Sequence, residues 1–239
     1  MNNLSQHFID SLSESFEKFL IHGSNSNKKL YPIHSTIAQD IINTLDSDNK
    51  YSIKALGIGD NKEGTLHGRY MDKKTDIVIY KDLVPICGVA VKFVMQNYSQ
   101  NSNNYFENML GETANIRTKG IPYFHVFVIF DQLPHYDDKK RIKHWEVFNE
   151  HYMRKYVKLS NDNIDVYLHS PNKTLLFVVR PEKPNYDLTD QDEYTNYYLK
   201  NPRLKISPTA HLYGRMNQNV ILNDYDYFIK KIYHTIMSL

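Results

Sequence analysis

The stretch TDIVIYKDLVPICGVAVKFV, residues 75–94, contains two runs of β-branched and other apolar residues separated by a short polar turn. Such runs predict two neighbouring β-strands, here over residues 76–81 and 86–94. The first strand opens with Asp76 and the second carries Lys92 near its end. Because a turn joins the strands, we expect both charged side chains to converge on one edge of a sheet.

An aspartate and a lysine at one sheet edge indicate phosphodiester chemistry. Mg²⁺ prefers carboxylate, water and phosphate oxygens as ligands, and hydrolysis also needs a cation against the charge that develops on the phosphate. Alternation along the second strand places Gly88, Ala90 and Lys92 on one face. Ala90 therefore occupies the position where a second metal-binding carboxylate would be expected.

The following segment, NNYFENMLGETANIR, offers two acids that could replace the missing one. It predicts a helix over about residues 104–117, whose apolar face has Glu107 at one border and Glu112 at the other. A residue at the border of that face can reach back over the sheet edge. We prefer Glu107, because Gly111 leaves space beside its carboxylate for a phosphate or a metal, and Glu112 is the alternative.

These residues resemble the PD-(D/E)XK superfamily of restriction endonucleases, and most closely the branch whose acid has moved from the strand to the following helix. The resemblance covers about residues 64–117 and depends on Asp76, on Ala-Val-Lys at 90–92 and on a helical glutamate. It implies that Asp76 and Glu107, or Glu112, bind Mg²⁺. It also implies that Lys92 orients the attacking water or stabilises the transition state.

Two positions depart from the family pattern. Thr75 stands where the family often has a proline, which is not a ligand. Ala90 is open to two interpretations: natural migration of the acid to the helix, or an inactivating replacement of a glutamate.

The composition is that of an ordinary globular protein, with 239 residues, 41% hydrophobic and 23% charged. No apolar run approaches the ~20 residues of a membrane span, and the first residues lack the pattern of a secretory signal. Cys87 is the only cysteine, which excludes an internal disulfide and a multi-cysteine zinc site. We therefore expect a cytoplasmic protein, prokaryotic as the resemblance implies, whose net charge of +2 permits a nucleic-acid partner.

The order of patterns along the chain predicts an α/β fold, and the resemblance implies a restriction-endonuclease-like central mixed β-sheet flanked by helices. Further helices are expected over residues 5–21, 35–46, 143–158 and 224–239, and further strands over 52–59, 123–131, 165–170 and 174–180. We expect one nuclease domain over residues 1–239. Residues 181–219, rich in Pro, Tyr, Asn and Asp, are expected to form an inserted DNA-recognition loop or a small subdomain.

Amide and basic side chains outside the metal site are candidates for DNA contacts, since they bind phosphates and read base edges. The candidates are Asn97, Gln100, Asn101 and Asn104 before the helix, Lys155 on the predicted helix 143–158, and His211, Arg215, Asn217, Gln218 and Asn219. A flexible surface loop for the first group and a solvated helix face for Lys155 are the simpler alternatives.

These features predict a type II restriction endonuclease, a Mg²⁺-dependent enzyme that hydrolyses double-stranded DNA at a specific sequence. Cutting both strands of a short symmetric site favours a homodimer. Two alternatives stay open: a related nuclease of repair or phage defence, and a DNA-binding module on a nuclease scaffold that has lost catalysis.

Overall fold

The structure is a computed structural model that describes residues 4–45, 50–208, 216 and 218–239. Its α-helices are α1 (Leu4–His22), α2 (Tyr31–Thr44), α3 (Tyr98–Arg117), α4 (Glu150–Ser160), α5 (Gln191–Lys200) and α6 (Tyr225–Met237). Its strands are β1 (Tyr51–Ala55), β2 (Gly64–His67), β3 (Asp72–Thr75), β4 (Ile77–Lys81), β5 (Val84–Val94), β6 (Tyr123–Phe130), β7 (Gln132–Tyr136), β8 (Ile142–Val147), β9 (Lys173–Pro181), β10 (Leu204–Ile206) and β11 (Val220–Leu222). None of these helices has both the length and the apolar character that crossing a membrane requires.

The described strands include one seven-stranded sheet in the order β1-β4-β5-β6-β9-β10, with β11 also pairing with β9. Strands β1, β4 and β5 are joined antiparallel, whereas β5, β6 and β9 run parallel. The hairpins β2–β3 and β7–β8 form separate two-stranded sheets. The predicted α/β class with a central mixed sheet is therefore confirmed.

Helices cover both faces of the sheet because its central strands are apolar on both sides. Every residue of β6 is buried. Phe124 of β6 contacts Phe228 of α6 on one face, and Phe127 contacts Tyr98 of α3 and Tyr156 of α4 on the other. Successive strand residues point to opposite faces of the sheet. Helices α1, α2 and α6 therefore pack on one face, and α3 and α4 pack on the other.

Helix α3 begins at Tyr98, six residues before the predicted start. The Asn-rich segment joins the helix because Tyr98 is buried against Phe127 and Phe148, and because Glu146 accepts a hydrogen bond from the Ser99 backbone N–H at 3.1 Å. Asn97 precedes the helix in the left-handed conformation, with a φ of 53°, which asparagine tolerates better than most residues.

The helix predicted over residues 143–158 is two elements, so the prediction was wrong for its first part. Residues 142–147 form β8, which pairs with β7 and alternates His144 and Glu146 on one face with Trp145 on the other. Helix α4 starts only at Glu150, where the side chain of Asn149 accepts a hydrogen bond from the His151 backbone N–H.

The strand predicted over residues 165–170 is a series of turns. Arg117, at the end of α3, donates hydrogen bonds to the carbonyl oxygens of Ile164, Tyr167 and Ser170 at 2.9, 3.4 and 2.7 Å. These carbonyl groups are bonded to the Arg117 guanidinium and do not pair with a neighbouring strand, so the segment curves around the Arg117 side chain.

The described part of the segment 181–219 packs against the main fold. Helix α5 buries Tyr194 and Tyr198 against Phe16 of α1, and β10 pairs with β9 at the sheet edge. Residues 209–215 and 217, which include His211, Arg215 and Asn217, lie outside the described residues.

The side chain of Asn115 fastens the turn of the hairpin β2–β3 to α3. Its Oδ1 accepts a hydrogen bond from the Tyr70 N–H at 2.9 Å, and its Nδ2 donates to the Met71 carbonyl at 2.9 Å. A Cβ atom at Gly68 would lie 2.1 Å from that Nδ2, so only glycine fits there. The hairpin leads directly into Asp76, and this fastening therefore fixes one wall of the site described next.

Candidate functional site

A cleft of about 220 Å³ lies between α3, the strand β3 and the middle of β5 and β6. Its lining residues are Lys73, Lys74, Thr75, Asp76, Ala90, Val91, Lys92, Tyr105, Asn108, Met109, Glu112, Tyr123, His125 and Phe127. The structure thus brings the predicted pair Asp76 and Lys92 into one cleft. Ala90 also lines it and packs in a small apolar cluster that includes Leu66 of the hairpin.

Asp76 lies at the junction where the chain leaves the hairpin and enters the central sheet, between β3 and β4. Its Oδ2 accepts a hydrogen bond from the Val91 backbone N–H at 2.6 Å. Since Val91 precedes Lys92 on β5, this bond ties the carboxylate to the strand that carries the lysine. The Asp76 side chain is 27% exposed, which leaves it open to the cleft.

The helical acid that reaches the cleft is Glu112. Residues 105, 108, 109 and 112 of α3 are spaced i, i+3, i+4 and i+7, so they form one stripe, and this stripe lines the cleft. Glu107, the acid preferred from the sequence, lies outside the stripe, is exposed and acts electrostatically on Lys155. A helix turns about 100° per residue, so positions 107 and 112 are about 140° apart around α3 and do not face the same surface.

Three charged groups surround Asp76 within the cleft. The pKa of Asp76 is raised to about 6, mainly by burial and also by the charge of Glu112, against the opposing effects of the Val91 N–H, Lys73 and Lys92. Lys73 forms a salt bridge with Glu112 that links β3 to α3. The carboxylate of Asp76 is thus held partly desolvated among like and opposite charges, as is common in functional sites.

Lys92 projects from β5 with its ammonium over the ring of Tyr105, 4.5 Å from the ring centre. Burial lowers the pKa of Lys92, and the negative charges of Asp76 and Glu112 partly restore it. The cation–π contact holds the lysine at the cleft without using its three hydrogen-bond donors. They stay available for an anion in the cleft.

His34 of α2 is a site residue that the sequence analysis missed. It is fully buried, its Nε2 lies 4.0 Å from Asp76 Oδ1, and neither ring nitrogen has a hydrogen-bond partner among the described residues. Burial lowers the pKa of His34 to about 4, against the opposing effect of Glu63, so the imidazole is neutral near pH 7. One ligand atom each from His34, Glu63 and Asp76 lies within 4.8 Å of the others, close enough to share a cation.

His125 of β6 is a second missed residue, and it lines the cleft itself. Its Nε2 is buried without a partner in the described part of the chain, and burial, with the charge of Lys73, lowers its pKa to about 3. The sequence did contain a signal for His125, because a histidine within the otherwise apolar run YFHVFVIF is a buried polar residue and buried polar residues often have a functional role. For His34 and Glu63 no spacing pattern marks the pair, since Glu63 follows His34 by 29 positions and strand β1 lies between them.

The amide residues proposed as DNA contacts lie on or beside the first turns of α3. Gln100 and Asn104 are exposed and, with the cleft residue Asn108, form a row spaced i, i+4 and i+8 that runs to the cleft. Asn97 and Asn101 are engaged with each other, because Asn101 Nδ2 donates to the Asn97 carbonyl at 3.1 Å.

Lys155 and Asn219, which were predicted to contact DNA, have side chains that bond to other residues of the protein. The ammonium of Lys155 donates to the Ser102 carbonyl at 2.7 Å and lies over the ring of Phe106, and burial lowers its pKa to about 8. Asn219 is buried, and its side chain bonds to the Asp162 carbonyl and Lys173. Gln218 is exposed.

A second cavity, of about 270 Å³, lies near the carboxyl ends of β6 and β9 and shares no lining residue with the cleft. It is lined by Asp131, Arg180 and aromatic side chains that include Trp145 and Tyr186. Neither of the two clusters of potential metal ligands among the described residues includes a residue that lines it. The features of a hydrolytic metal site therefore meet only at the first of these two cavities.

Relationship to known proteins was sought in three ways. Comparison with models of protein families, with curated proteins and with solved structures found no match to this chain.

Proposed function

We propose that this protein is a divalent-metal-dependent nuclease that hydrolyses phosphodiester bonds in double-stranded DNA, of the type II restriction endonuclease class. One observation carries the proposal: Asp76, Glu112 and Lys92 share a cleft, and His34 Nε2, which has no hydrogen-bond partner among the described residues, lies 4.0 Å from the Asp76 carboxylate. On this proposal the mixed sheet is a restriction-endonuclease-like fold, and Glu112 is the acid that has moved to the helix.

The residues around Asp76 fit a divalent cation. Asp76 and Glu63 offer the hard oxygen donors that Mg²⁺ prefers, and Glu112 lines the same cleft as Asp76. The buried Nε2 of His34, which has no hydrogen-bond partner among the described residues, would accept a hydrogen bond from a water molecule on the ion. A cation at Asp76 would also compensate the cost of keeping that desolvated carboxylate charged. A bound Mg²⁺ supplies a polarised phosphate oxygen and a water molecule of lowered pKa.

The chain's own residues then have separate tasks. The Val91 N–H holds Oδ2 of Asp76 and so fixes the orientation of the carboxylate, which would bind the ion, relative to β5. Lys92, held over Tyr105 with its N–H donors free of the ring, stabilises the negative charge that develops on the phosphate. Lys73 neutralises Glu112 until a metal competes for that carboxylate.

The surroundings of the cleft favour a nucleic acid over a small phosphoester. Three lysines, Lys73, Lys74 and Lys92, line the cleft, and the exposed amides of Gln100 and Asn104 extend from it along α3. Lysines bind the phosphate backbone, and amides can contact both phosphates and base edges. A homodimer with two such clefts would cut both strands of a symmetric site.

Incubation of the purified protein with supercoiled plasmid tests this function. With Mg²⁺ we expect discrete linear fragments, and with EDTA intact plasmid. A smear of products would favour a nuclease of repair or phage defence. Specific retention of DNA fragments without cleavage in Mg²⁺ or Mn²⁺ would favour the inactive DNA-binding module.

The two glutamates of α3 provide a matched pair of variants. We expect Glu112→Gln to reduce cleavage at least about 100-fold, because it removes a charged group from the cleft. Glu107→Gln makes the same chemical change at the exposed position beside Lys155 and should leave cleavage nearly unaltered. Plasmid cleavage rates at saturating Mg²⁺ give both numbers, and DNA retention by both variants controls for folding.

The opposite ranking, with Glu107→Gln inactive and Glu112→Gln active, would contradict the assignment of Glu112. If neither change matters and Ala90→Glu raises cleavage, the acid belongs on β5 and Ala90 replaces it.

A further inference from the structure

A second group of metal-binding side chains lies on the hairpin β7–β8, away from Asp76. His135 of β7 and His144 of β8 are directly opposite each other in the antiparallel register, and Glu146 lies two residues beyond His144 on the same strand face. One ligand atom from each of the three lies within 4.8 Å of the others. None of the three lines the nuclease cleft.

The ligand atoms of the three side chains are close to the separations that a tetrahedral ion requires. Two ligands bonded at about 2.0–2.1 Å to one tetrahedral ion lie about 3.3 Å apart. His135 Nδ1 and Glu146 Oε1 are 2.9 Å apart, and the two imidazole rings are stacked with centres 4.6 Å apart and an angle of 18°. Nδ1 and Oε1 are at hydrogen-bond distance, and an ion between them would require a small widening and a turn of the stacked rings.

The charges and burial of the cluster also favour a cation. The cluster places two imidazole rings beside one carboxylate, and each of the three side chains offers one ligand atom. The Glu146 side chain is only 6% exposed, and the Ser99 backbone N–H and hydroxyl hold it in place. Such outer contacts orient a metal-binding carboxylate, while His144 leaves the site open to solvent.

We propose that His135, His144 and Glu146 bind a divalent transition-metal ion of the zinc class, with a water molecule in the fourth position. Two imidazoles and one carboxylate suit Zn²⁺ better than Mg²⁺, which prefers an all-oxygen, octahedral set. The site is independent of the proposed nuclease function.

An ion at this site would stabilise the contact between the hairpin β7–β8 and helix α3. Glu146 joins the hairpin to the first turn of α3 through Ser99, and the same helix carries Glu112 to the cleft. An ion on the hairpin would crosslink β7 and β8 and hold the anchor of α3. We therefore expect Zn²⁺ to raise the melting temperature of the protein.

The test uses the full chain in an Asp76→Asn background, which removes the central carboxylate of the cleft and so weakens metal binding there. Trp145, the only tryptophan, lies between His144 and Glu146 in the sequence, so its fluorescence reports on the hairpin. After treatment with EDTA, calorimetry with Zn²⁺ should give one bound equivalent, and Co²⁺ or Ni²⁺ should quench Trp145. Mg²⁺ alone should do neither.

Adding His144→Ala to this background should abolish both signals, and Glu146→Gln should weaken Zn²⁺ binding about 10–100-fold. His151→Ala removes an exposed histidine of neighbouring α4, and this variant should still bind one equivalent of Zn²⁺. Circular dichroism compares the folding of all variants, and His144 is exposed enough to be replaced without loss of the core. The proposal is overturned if the background binds no Zn²⁺, or if one equivalent persists in both the His144→Ala and Glu146→Gln proteins.

Discussion

Replacing Asp76 by asparagine is expected to reduce metal-dependent DNA cleavage by at least about 1,000-fold. Asp76 is the only residue common to the two groups of donors, Glu112 on one side and the His34–Glu63 pair on the other. An amide keeps the size of the side chain and can still accept the Val91 N–H, but it removes the negative charge that would bind a cation. On the proposed function, the fold and DNA binding should therefore persist while cleavage is lost.

Plasmid cleavage in Mg²⁺ measures this loss, and retention of the same DNA in Ca²⁺ measures binding. Asp72→Asn is the matched control, because Asp72 lies four residues earlier, on the same hairpin, and is exposed beside His67. It should cleave like the parent protein. Equal cleavage by Asp76→Asn and Asp72→Asn would remove Asp76 from the mechanism and with it the proposed metal site.

The second large effect concerns stability in the absence of metal. The pKa of Asp76 is about 6 in the folded protein and 3.8 in its ordinary state, so folding binds a proton between these values. Below pH 4 the carboxyl is protonated in both states, and as the pH rises to about 6 the unfolded state loses its proton first. The free energy of unfolding should therefore fall over this window, by roughly 3 kcal/mol from this group, and stay low above it.

Urea unfolding in EDTA at pH 4 and pH 7.5 measures this change for the parent protein and for Asp76→Asn. The variant lacks the titrating group, so it should not lose this stability as the pH rises. Its free energy of unfolding, relative to that of the parent protein, should therefore be higher at pH 7.5 than at pH 4 by roughly 2–3 kcal/mol. Excess Mg²⁺ at pH 7.5 should stabilise only the parent protein, because it binds the ionised carboxylate. Parallel pH curves for the two proteins would show that Asp76 is not desolvated as described.

The parts of the fold that the sequence predicted are those governed by local apolar pattern. The β4–β5 hairpin, the buried strand β6 and the terminal helices have long periodic runs, and their positions were correct to within a few residues. Helix α3 and strand β8 were misjudged because distant partners decide them. Tyr98 is held by Phe127 and Phe148, and β8 exists through its pairing with β7.

The same distinction applies to the site. Asp76 and Lys92 could be paired from the sequence, since one turn links their strands. Choosing between Glu107 and Glu112 required the rotation of α3 about its axis, which depends on the packing of Phe106 against Tyr156 and Lys155. His34 reaches Asp76 only because α2 packs beside the sheet, and no local pattern encodes that approach.

The contact between Gly68 and Asn115 bears on how relatives of this chain would be recognised. A side chain at position 68 would collide with the amide that fastens the hairpin, and any replacement of Asn115 would leave the Tyr70 N–H and the Met71 carbonyl without that partner. Neither residue touches substrate on the proposed mechanism, so drift in specificity would not disturb the pair. In diverged homologues the two positions should change together or not at all, which makes them a better evolutionary signature of this architecture than a catalytic acid that is free to migrate.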